Sequence, residues 1–213
     1  EAMQFGHALD RILREILLAN PEFGPVYQNK TDMSDGFYRG DLAPDDCPKL
    51  GVVFPSRSTD TEPLVAIPLV LPMGWSESPP GFSAITETIA DVANDRLQDR
   101  TYQPATHHLD DLAAAVVLPT PSKSPEPHVN ELVSVQVPRV RDPSLPHNPT
   151  PLQYVDVFVD DFCSFAQRPF LRRVRRTLLH AIDDIIRPLD EFDSPFRREP
   201  VSLKKLKQGD CSW

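Results

Sequence analysis

Two adjacent aspartates, Asp160 and Asp161, interrupt a run of strand-forming residues in the stretch "QYVDVFVDDFCSF". Val155, Val157 and Val159 alternate with Asp156 and Phe158, and Phe162 and Phe165 continue beyond the pair. β-Branched and aromatic residues with a period of two favour β-strands. A strand, a turn and a second strand would hold the two carboxylates side by side at the tip of a hairpin. Like charges so close repel each other unless a cation lies between them. The alternative is a solvated turn, because Asp is a common turn residue.

A third aspartate, Asp32, ends another strand-like segment in "KTDMSDGFYRG" and is followed by Asp35, Gly36 and Phe37. Phosphoryl transfer between nucleotides uses two divalent cations roughly 3.5–4 Å apart, held by carboxylates. Mg²⁺ takes one or two carboxylates together with substrate phosphates, so two strands that each supply an aspartate would suffice. The backbone N–H groups at Asp35 and Gly36 could face a triphosphate, because glycine lets a ligand approach the backbone closely.

A third stretch, "LPMGWSESPPGF" (residues 71–82), places proline and glycine just ahead of a predicted helix. In chain order, the three stretches resemble motifs A, B and C of reverse transcriptases, and those of retrotransposons more than viral RNA replicases. "KTDMSDGFY" resembles motif A, "LPMGWSESPPGF" resembles motif B and "FVDDF" resembles motif C. The resemblance covers about residues 20–100 and 152–170.

The resemblance implies that Asp32 and Asp160 ligate two Mg²⁺ ions, which Mn²⁺ could replace, with Asp161 beside them in a supporting role. It also implies that Asp35 and Gly36 lie along the incoming deoxynucleoside triphosphate. Catalytic and metal-binding roles are thus expected for the three aspartates, and nucleotide contacts for the loop that follows Asp32.

Phe37 occupies the position at which reverse transcriptases place an aromatic that blocks the ribose 2′-hydroxyl. That hydroxyl distinguishes the two sugars, and a bulky ring beneath the sugar would reject it by overlap. An aromatic at this position therefore favours DNA synthesis over RNA synthesis. The alternative is that Phe37 is a core aromatic.

By the same resemblance, motif B lines the nucleotide and the template strand. The residues concerned are Met73 and Gly74 at the nucleotide, and Pro72, Trp75, Ser78, Pro79 and Phe158 at the template and primer. Met73 stands where many reverse transcriptases carry Gln, and its thioether donates no hydrogen bond. Phe158 stands where Tyr is common. The prolines and the glycine are equally typical of a turn before a helix, and both roles can hold together.

Amphipathic helices are predicted over roughly residues 2–19, from Ser78 to about residue 97, and from Pro169 to Pro188. Two apolar runs, "LGVVFP" and "LVAIPLVLPMGW", predict a hairpin, and "ELVSVQVPRV" could be one edge strand. The resemblance implies an α+β polymerase palm, in which helices pack on one face of an antiparallel sheet and the acidic residues lie on the opposite, open face. The fingers would be largely missing and the thumb absent.

A proline-rich and serine-rich stretch divides the chain into three predicted parts. They are a residual fingers and palm segment with motifs A and B (residues 1–100), a flexible Pro-rich insertion (101–151), and a palm segment with the motif C hairpin, a helix and the possible start of motif D (152–213). The candidate motif D lysines, expected near the leaving pyrophosphate, are Lys204, Lys205 and Lys207.

The bulk composition limits the classes of protein that fit. The 213 residues carry a formal net charge of −9, which argues against a uniformly basic nucleic-acid coat but not against local basic patches. Three widely spaced cysteines without a CxxC pair predict free thiols in a reducing compartment. No apolar run reaches the ~18 residues of a membrane span. We therefore expect no membrane partner and an intracellular location, in the cytoplasm or the nucleus.

Two further features invite a functional interpretation. In "HHLDDL" (residues 107–112) the histidines suggest a metal site, but no further ligand follows at a useful spacing, so we expect an ordinary loop. The four arginines of the last helix are expected to form a solvated helix face, with phosphate contact as the less favoured alternative. They are Arg172, Arg173, Arg175 and Arg176.

The sequence therefore predicts a fragment of an RNA-directed DNA polymerase that adds deoxynucleotides to a primer 3′-hydroxyl. Its partners would be an RNA or DNA template with its primer, deoxynucleoside triphosphates and the rest of a retroelement polyprotein. Because the fingers and thumb are missing, we expect this chain alone to be inactive. The alternative is a catalytically inactive retroelement remnant that acts as a binding module through its Pro-rich segment.

Overall fold

A computed structural model describes residues 4–55, 62–110, 135–136, 146–186 and 199–202. In this part of the chain the long helices are α1 (Ala8–Leu18), α2 (Ser78–Gln98) and α3 (Leu171–Ile186). The strands are β1 (Tyr27–Asp32), β2 (Val52–Val53), β3 (Val65–Ala66), β4 (Val135–Gln136), β5 (Gln153–Phe158) and β6 (Asp161–Ala166). The chain is α+β with antiparallel sheets, as predicted.

The main sheet has the strand order β4–β1–β6–β5, and all neighbouring strands in it are antiparallel. β6 lies between β1 and β5, and the register sets Asp161 opposite Asp32 on one side and opposite Phe158 on the other. The alternating residues thus form the predicted hairpin. Its turn, however, consists of Val159 and Asp160, so the prediction of a tip at the two aspartates is wrong by one residue, and Asp161 already belongs to β6.

One face of the main sheet packs on α2 and α3. Val155, Val157 and Phe162 point to this side, because side chains two positions apart on a strand share a face. They meet Ile89 of α2 and Ile182 of α3, and both isoleucines are fully buried. This layer is the main hydrophobic core of the described residues.

The opposite face of the sheet is covered in part by α1. Phe165 and Tyr154 lie on this side and pack with Ile16 and Ala19 in a second, smaller cluster. The prediction that helices cover one face therefore holds for α2 and α3 but is wrong for α1. The apolar period of α1 shows that one side of the helix is buried, but it does not specify which face of the sheet buries it.

α2 begins at Ser78, as predicted, with two prolines in its first turn. Proline suits this position because its missing N–H and its fixed φ cost a first helical turn nothing. α3 begins at Leu171, two residues after the predicted start at Pro169. Its predicted end at Pro188 lies outside the described residues.

β2 and β3 form the predicted hairpin as a separate sheet in which every strand residue is exposed. At the base of this hairpin, Asp41 bridges Val70, and Gly40 lies against Leu71. A Cβ atom on Gly40 would come within 2.7 Å of Leu71 Cδ1, so a larger residue there would force the Leu71 side chain to shift. The base of the hairpin therefore fixes the first residue of motif B against the loop that follows motif A.

Part of the predicted Pro-rich insertion belongs to the folded structure. β4 pairs with the start of β1, which confirms an edge strand in this range. His107 and Leu109 are each only 2% exposed. Residues 111–134 and 137–145, like the candidate motif D lysines, lie outside the described residues. Among the described helices, none has both the length and the apolar character that a membrane span requires.

Candidate metal and nucleotide site

The three aspartates singled out in the sequence meet at one end of the main sheet. β1 ends at Asp32, directly opposite Asp161, and the turn before Asp161 carries Asp160. Each side chain offers one carboxylate oxygen, and the three oxygens lie within 4.8 Å of one another. Asp32 is 6% exposed, whereas Asp160 and Asp161 are partly exposed. The fold thus gathers three negative charges at a site with one buried and two accessible members.

The tight turn that carries Asp160 has an unusual backbone. Val159 has a φ of 59°, in the left-handed region that β-branched residues rarely adopt. A two-residue hairpin turn needs a positive φ at its first central position when it is of type II′, and this matches the twist of the flanking strands. The Asp160 carbonyl accepts a hydrogen bond from the Met33 N–H at 3.3 Å. The turn is therefore tied to the residue that follows Asp32.

A lysine lies within the acidic cluster. Lys30 Nζ is 2.8 Å from Asp161 Oδ1 in an ion pair of two partly exposed side chains. The hydrogen bond to Asp161 raises the pKa of Lys30, and the charges of Asp161 and Asp32 raise it further, against a smaller opposing effect of burial. Lys30 therefore stays cationic at neutral pH. Sequence reasoning missed it, although its position two residues before Asp32 places both side chains on one face of β1.

The loop after Asp32 brings a glycine close to the acidic cluster. Asp35 adopts a left-handed conformation with a φ of 61°, and a 3₁₀ helix, Gly36–Arg39, follows it. A Cβ atom at Gly36 would lie 4.0 Å from Asp160 Oδ2. Gly36 therefore lies beside the carboxylate at the turn and leaves the space next to it free of a side chain.

Arg39, which is only 8% exposed at its side chain, fixes the same loop from behind. Its Nε donates to the Ser34 carbonyl at 3.1 Å, and one Nη donates to the Glu199 carbonyl at the same distance. The Ser202 N–H in turn donates to the Asp32 carbonyl at 2.9 Å. The segment 199–202 thus holds the end of β1 and the loop that follows it in one arrangement.

Phe37 is partly buried and contacts the core. Its ring meets that of Phe82 edge to face, with centroids 5.2 Å apart and planes at 76°. Phe82 belongs to α2 and is fully buried. The two sequence alternatives for Phe37, a core aromatic and a ring at the nucleotide, are therefore compatible, because the contact with Phe82 fixes the ring and leaves part of it accessible.

Motif B forms a turn that is closed by its own serine. The Ser78 hydroxyl donates to the Pro72 carbonyl at 2.7 Å, and Ser78 is fully buried. Gly74 has a φ of 92°, which explains the need for glycine at this point. Trp75 packs against the main core, whereas Met73 is 68% exposed.

The remaining motif positions lie at the edges of these turns. Pro79 is partly buried in the first turn of α2. Phe158 is 54% exposed at the end of β5, directly opposite Asp161. This exposed aromatic therefore lies beside the carboxylates.

The donors of the aspartate cluster could hold a hard divalent cation. All three donors are carboxylate oxygens, which hard divalent cations prefer, and the histidines described below lie elsewhere. The presence of Lys30 among the carboxylates agrees with a site that requires positive charge. Asp32 and Asp160 are the residues that would hold a cation, with Asp161 beside them.

No family model matches this chain. A search of curated proteins also gives no match. The resemblance to reverse transcriptases therefore rests on the three motifs, and the activity it implies is a proposal.

A second cluster contains His107, His108 and Asp183, whose ligand atoms also lie within 4.8 Å of one another. The expectation that no third ligand comes near the histidines is therefore wrong, because α3 supplies Asp183 from a distant part of the chain. Both ring nitrogens of His107 are nevertheless engaged. Nδ1 accepts from the Leu109 N–H at 3.1 Å, and Nε2 lies 2.9 Å from Asp183 Oδ2. We interpret His107 as an N-terminal cap of the helical residues that begin at His108.

The arginines of α3 are mainly structural. Arg173 donates to the carbonyls of Leu97 at 3.0 Å and Asp99 at 2.8 Å, and so caps the end of α2. Arg175 and Arg176 both bind the carboxylate of Asp110. The prediction of a solvated face is therefore wrong for these three residues. A regular helix pattern does not reveal partners that come from another element.

Asp110 is the acidic partner of both Arg175 and Arg176. It is 7% exposed. Burial raises the pKa of Asp110, but the hydrogen bonds and charges of Arg176 and Arg175 outweigh this effect and hold the pKa below its usual range. The Asp110 carboxylate also accepts from the His107 N–H at 3.3 Å. This group therefore connects the described end of the insertion to α3.

Proposed function

We propose that this chain carries the palm region of an RNA-directed DNA polymerase, whose reaction adds deoxynucleotides to a primer 3′-hydroxyl. The observation that carries the proposal is the convergence of Asp32, Asp160 and Asp161, whose carboxylate oxygens lie within 4.8 Å of one another. Two strands that are distant in the sequence supply these groups at the same end of the sheet. A two-cation polymerase site needs such an arrangement.

The neighbouring residues support the same function. Gly36 lies beside Asp160, where a triphosphate would need access to the backbone. Phe37 follows it and contacts Phe82 of α2, so motif A and the helix after motif B are in direct contact. A metal site alone would not require this combination of a bare backbone and an anchored aromatic ring.

In this proposal each residue has a distinct task. Asp32 and Asp160 hold the divalent cations, which when bound lower the pKa of the primer hydroxyl and offset the charge that develops on the transferred phosphate. Gly36 leaves room for the triphosphate chain beside the carboxylates. Phe37 excludes a sugar that carries a 2′-hydroxyl, and the exposed Met73 and Phe158 contact the nucleotide and the primer strand.

Primer extension tests the proposal. The assay uses poly(rA) with an oligo(dT) primer, dTTP, and Mg²⁺ or Mn²⁺, with this chain and with a chain extended at both ends along its own coding sequence. We expect DNA synthesis by the longer chain. Asp160→Asn should reduce it by about 100-fold or more, because cation binding supplies several kcal/mol of charge stabilisation and each 1.36 kcal/mol is tenfold in rate.

The matched control is Asp45→Asn, which removes an exposed carboxylate from a loop outside the cluster and should leave the activity unchanged. Synthesis that survives Asp160→Asn would contradict the assigned role of the cluster. A lack of synthesis by both chains would favour the alternative, a retroelement remnant that acts as a binding module.

A further inference from the structure

One strand of the sheet supplies both a carboxylate and a cation to the candidate site. Lys30 and Asp32 are two residues apart on β1 and therefore share a face of the sheet. Asp32 is directly opposite Asp161, so Lys30 reaches Asp161 along the diagonal, where Nζ and Oδ1 are 2.8 Å apart. The ammonium group is thus a built-in part of the cluster.

The two adjacent aspartates differ in their surroundings. Asp161 begins β6 and forms the ion pair with Lys30. Asp160 lies in the turn, with its Oδ2 near Gly36 on the side of the proposed triphosphate. Three carboxylates within 4.8 Å repel one another, and a cation bound to one member reduces that repulsion unequally.

We propose that Lys30 is a positioning residue, which engages Asp161 as an internal counter-ion and leaves Asp32 and Asp160 as the pair that binds a divalent cation. This inference rests on the proposed function only in so far as it takes the cluster to be a divalent-cation site. Because like charges repel, Lys30 also weakens the binding of the incoming cation. It therefore sets both the ligand choice and the affinity of the site.

The affinity of the chain for Mn²⁺ tests directly whether Lys30 weakens the binding of a divalent cation. Free Mn²⁺ is measured by electron paramagnetic resonance during titration of this chain and of two variants, and each variant's thermal unfolding shows whether it is folded. Lys30→Met should bind Mn²⁺ about three- to tenfold more tightly, the range that Coulomb's law gives for removing one nearby exposed positive charge. Lys30→Arg keeps the charge and should bind Mn²⁺ as the original chain does.

A double-mutant cycle tests the choice of ligands. In the original chain, Asp161→Asn should weaken Mn²⁺ binding by about three- to tenfold, the effect that Coulomb's law gives for removing one nearby negative charge from a carboxylate that is not itself a ligand. In the Lys30→Met background the same change should weaken binding by about thirtyfold or more, because the Lys30 ammonium group no longer neutralises Asp161 and the cation loses a ligand as well as a negative charge. Asp160→Asn should weaken binding by at least about tenfold in both backgrounds, as the loss of a ligand does.

A purely structural role for Lys30 would shift the unfolding temperature but would leave the effect of Asp161→Asn the same in both backgrounds. That result, or weaker Mn²⁺ binding by Lys30→Met, overturns the inference while Asp160→Asn still reports a metal site. If the double-mutant cycle shows the expected coupling between Lys30 and Asp161 but the longer chain makes no DNA, the polymerase proposal is rejected and the role of Lys30 is retained. Absence of Mn²⁺ binding by the original chain and by Lys30→Met would overturn both.

Discussion

In the proposed polymerase, Phe37 would serve both the core and the nucleotide site. Its edge-to-face contact with Phe82 fixes the ring, and the partly exposed remainder lies on the loop that also carries Gly36. A ring that excludes a hydroxyl group by overlap must not move aside, so the buried contact is a condition for discrimination between sugars.

Replacement of this ring should relax the choice of sugar. We expect Phe37→Ala to increase the ratio of ribonucleotide to deoxynucleotide incorporation by the longer chain by at least about tenfold, the lower end of what a packing difference in a pocket provides. It should also lower the free energy of unfolding by about 0.5–1.5 kcal/mol through the lost contact with Phe82. Primer extension with each nucleotide type measures the ratio. Phe37→Tyr retains a ring and should retain the preference for deoxynucleotides, and an unchanged ratio in Phe37→Ala would contradict the gating role.

Glu87 lies in an acidic groove of about 790 Å³ between α1, α2 and the edge of β5 that pairs with no other described strand. Burial raises the pKa of Glu87, and the charges of Asp91 and Asp156 add to this against the opposing charge of Arg11. Glu87 Oε1 is buried and has no hydrogen-bond partner among the described residues. The ionised form is therefore disfavoured in the folded state.

The folded state binds the Glu87 proton more tightly than the unfolded state does. Ionisation of Glu87 therefore lowers the free energy of unfolding fully above the raised pKa, and this loss declines as the pH falls from the raised pKa towards the ordinary value. Glu87→Gln should therefore raise the unfolding temperature at pH 7. The difference from the original chain should vanish below the ordinary Glu value of 4.5, where both states are protonated. Thermal unfolding between pH 3.5 and about 8 measures the effect.

Asp110→Asn is the control of opposite sign. The pKa of Asp110 is lowered in the folded state, so its stabilisation is present above the ordinary value of 3.8 and is lost as the pH falls below that value. The variant should be less stable at pH 7, because Arg175 and Arg176 lose their counter-charge. Equal shifts of the unfolding temperature in Glu87→Gln and Asp110→Asn would contradict the conclusion that the ionised form of Glu87 is disfavoured in the folded state.

At the scale of the secondary-structure elements, the period of the sequence predicted the elements better than their partners. β5 and β6 follow from alternating residues, β1 from a strand-like segment that ends at Asp32, and α2 from the prolines after Ser78. Neither the pairing of Lys30 with Asp161 nor the position of α1 has a signal of this kind. Both depend on contacts between segments that are far apart in the chain, and local patterns do not encode such contacts.

The junction of α2 and α3 depends on Arg173, which donates to several carbonyls at the end of α2. Burial lowers the pKa of this guanidinium, with the charge of Asp99 opposing, yet an arginine remains charged at any ordinary pH. Arg173→Met should reduce the free energy of unfolding by about 2–4 kcal/mol, because the carbonyls lose charged donors. Urea denaturation measures the loss.

Arg172 provides the matched control, since it lies next to Arg173 on the same helix and is exposed. Arg172→Met should change the free energy of unfolding by no more than about 0.5 kcal/mol, as surface substitutions usually do. Similar losses in the two variants would mean that helix propensity or net charge explains the effect, and that the contacts with α2 do not.

At the scale of the whole molecule, one core joins the two ends of the sequence. α2 comes from the first half and packs on β5 and α3 from the second half, while β1 pairs with β6. The predicted division at residues 100 and 152 therefore separates parts of a shared sheet. Composition revealed the Pro-rich range, but it did not reveal that both flanking segments complete the same core.

This arrangement predicts that two separate chains can assemble. Residues 1–110 and 146–213, expressed together as independent polypeptides, should co-purify through a tag on the first, because neither contains a complete sheet. Circular dichroism of the complex should resemble that of the intact chain. Phe162→Asp places a charge in the buried interface and should abolish the association. Stable folding of either fragment alone would contradict a shared core.

The narrow base of the β2–β3 hairpin has a practical consequence. After Gly40 the chain still places Leu42 and Cys47 in the core, and it returns at Leu71 beside Gly40, where the bridge between Asp41 and Val70 closes the base of the hairpin. Beyond it, the residues from Gly51 to Ile67 that the structure describes are all exposed. The outer hairpin is therefore a suitable insertion site, where a fluorescent reporter or an epitope could be placed between β2 and β3 and leave the aspartate cluster untouched.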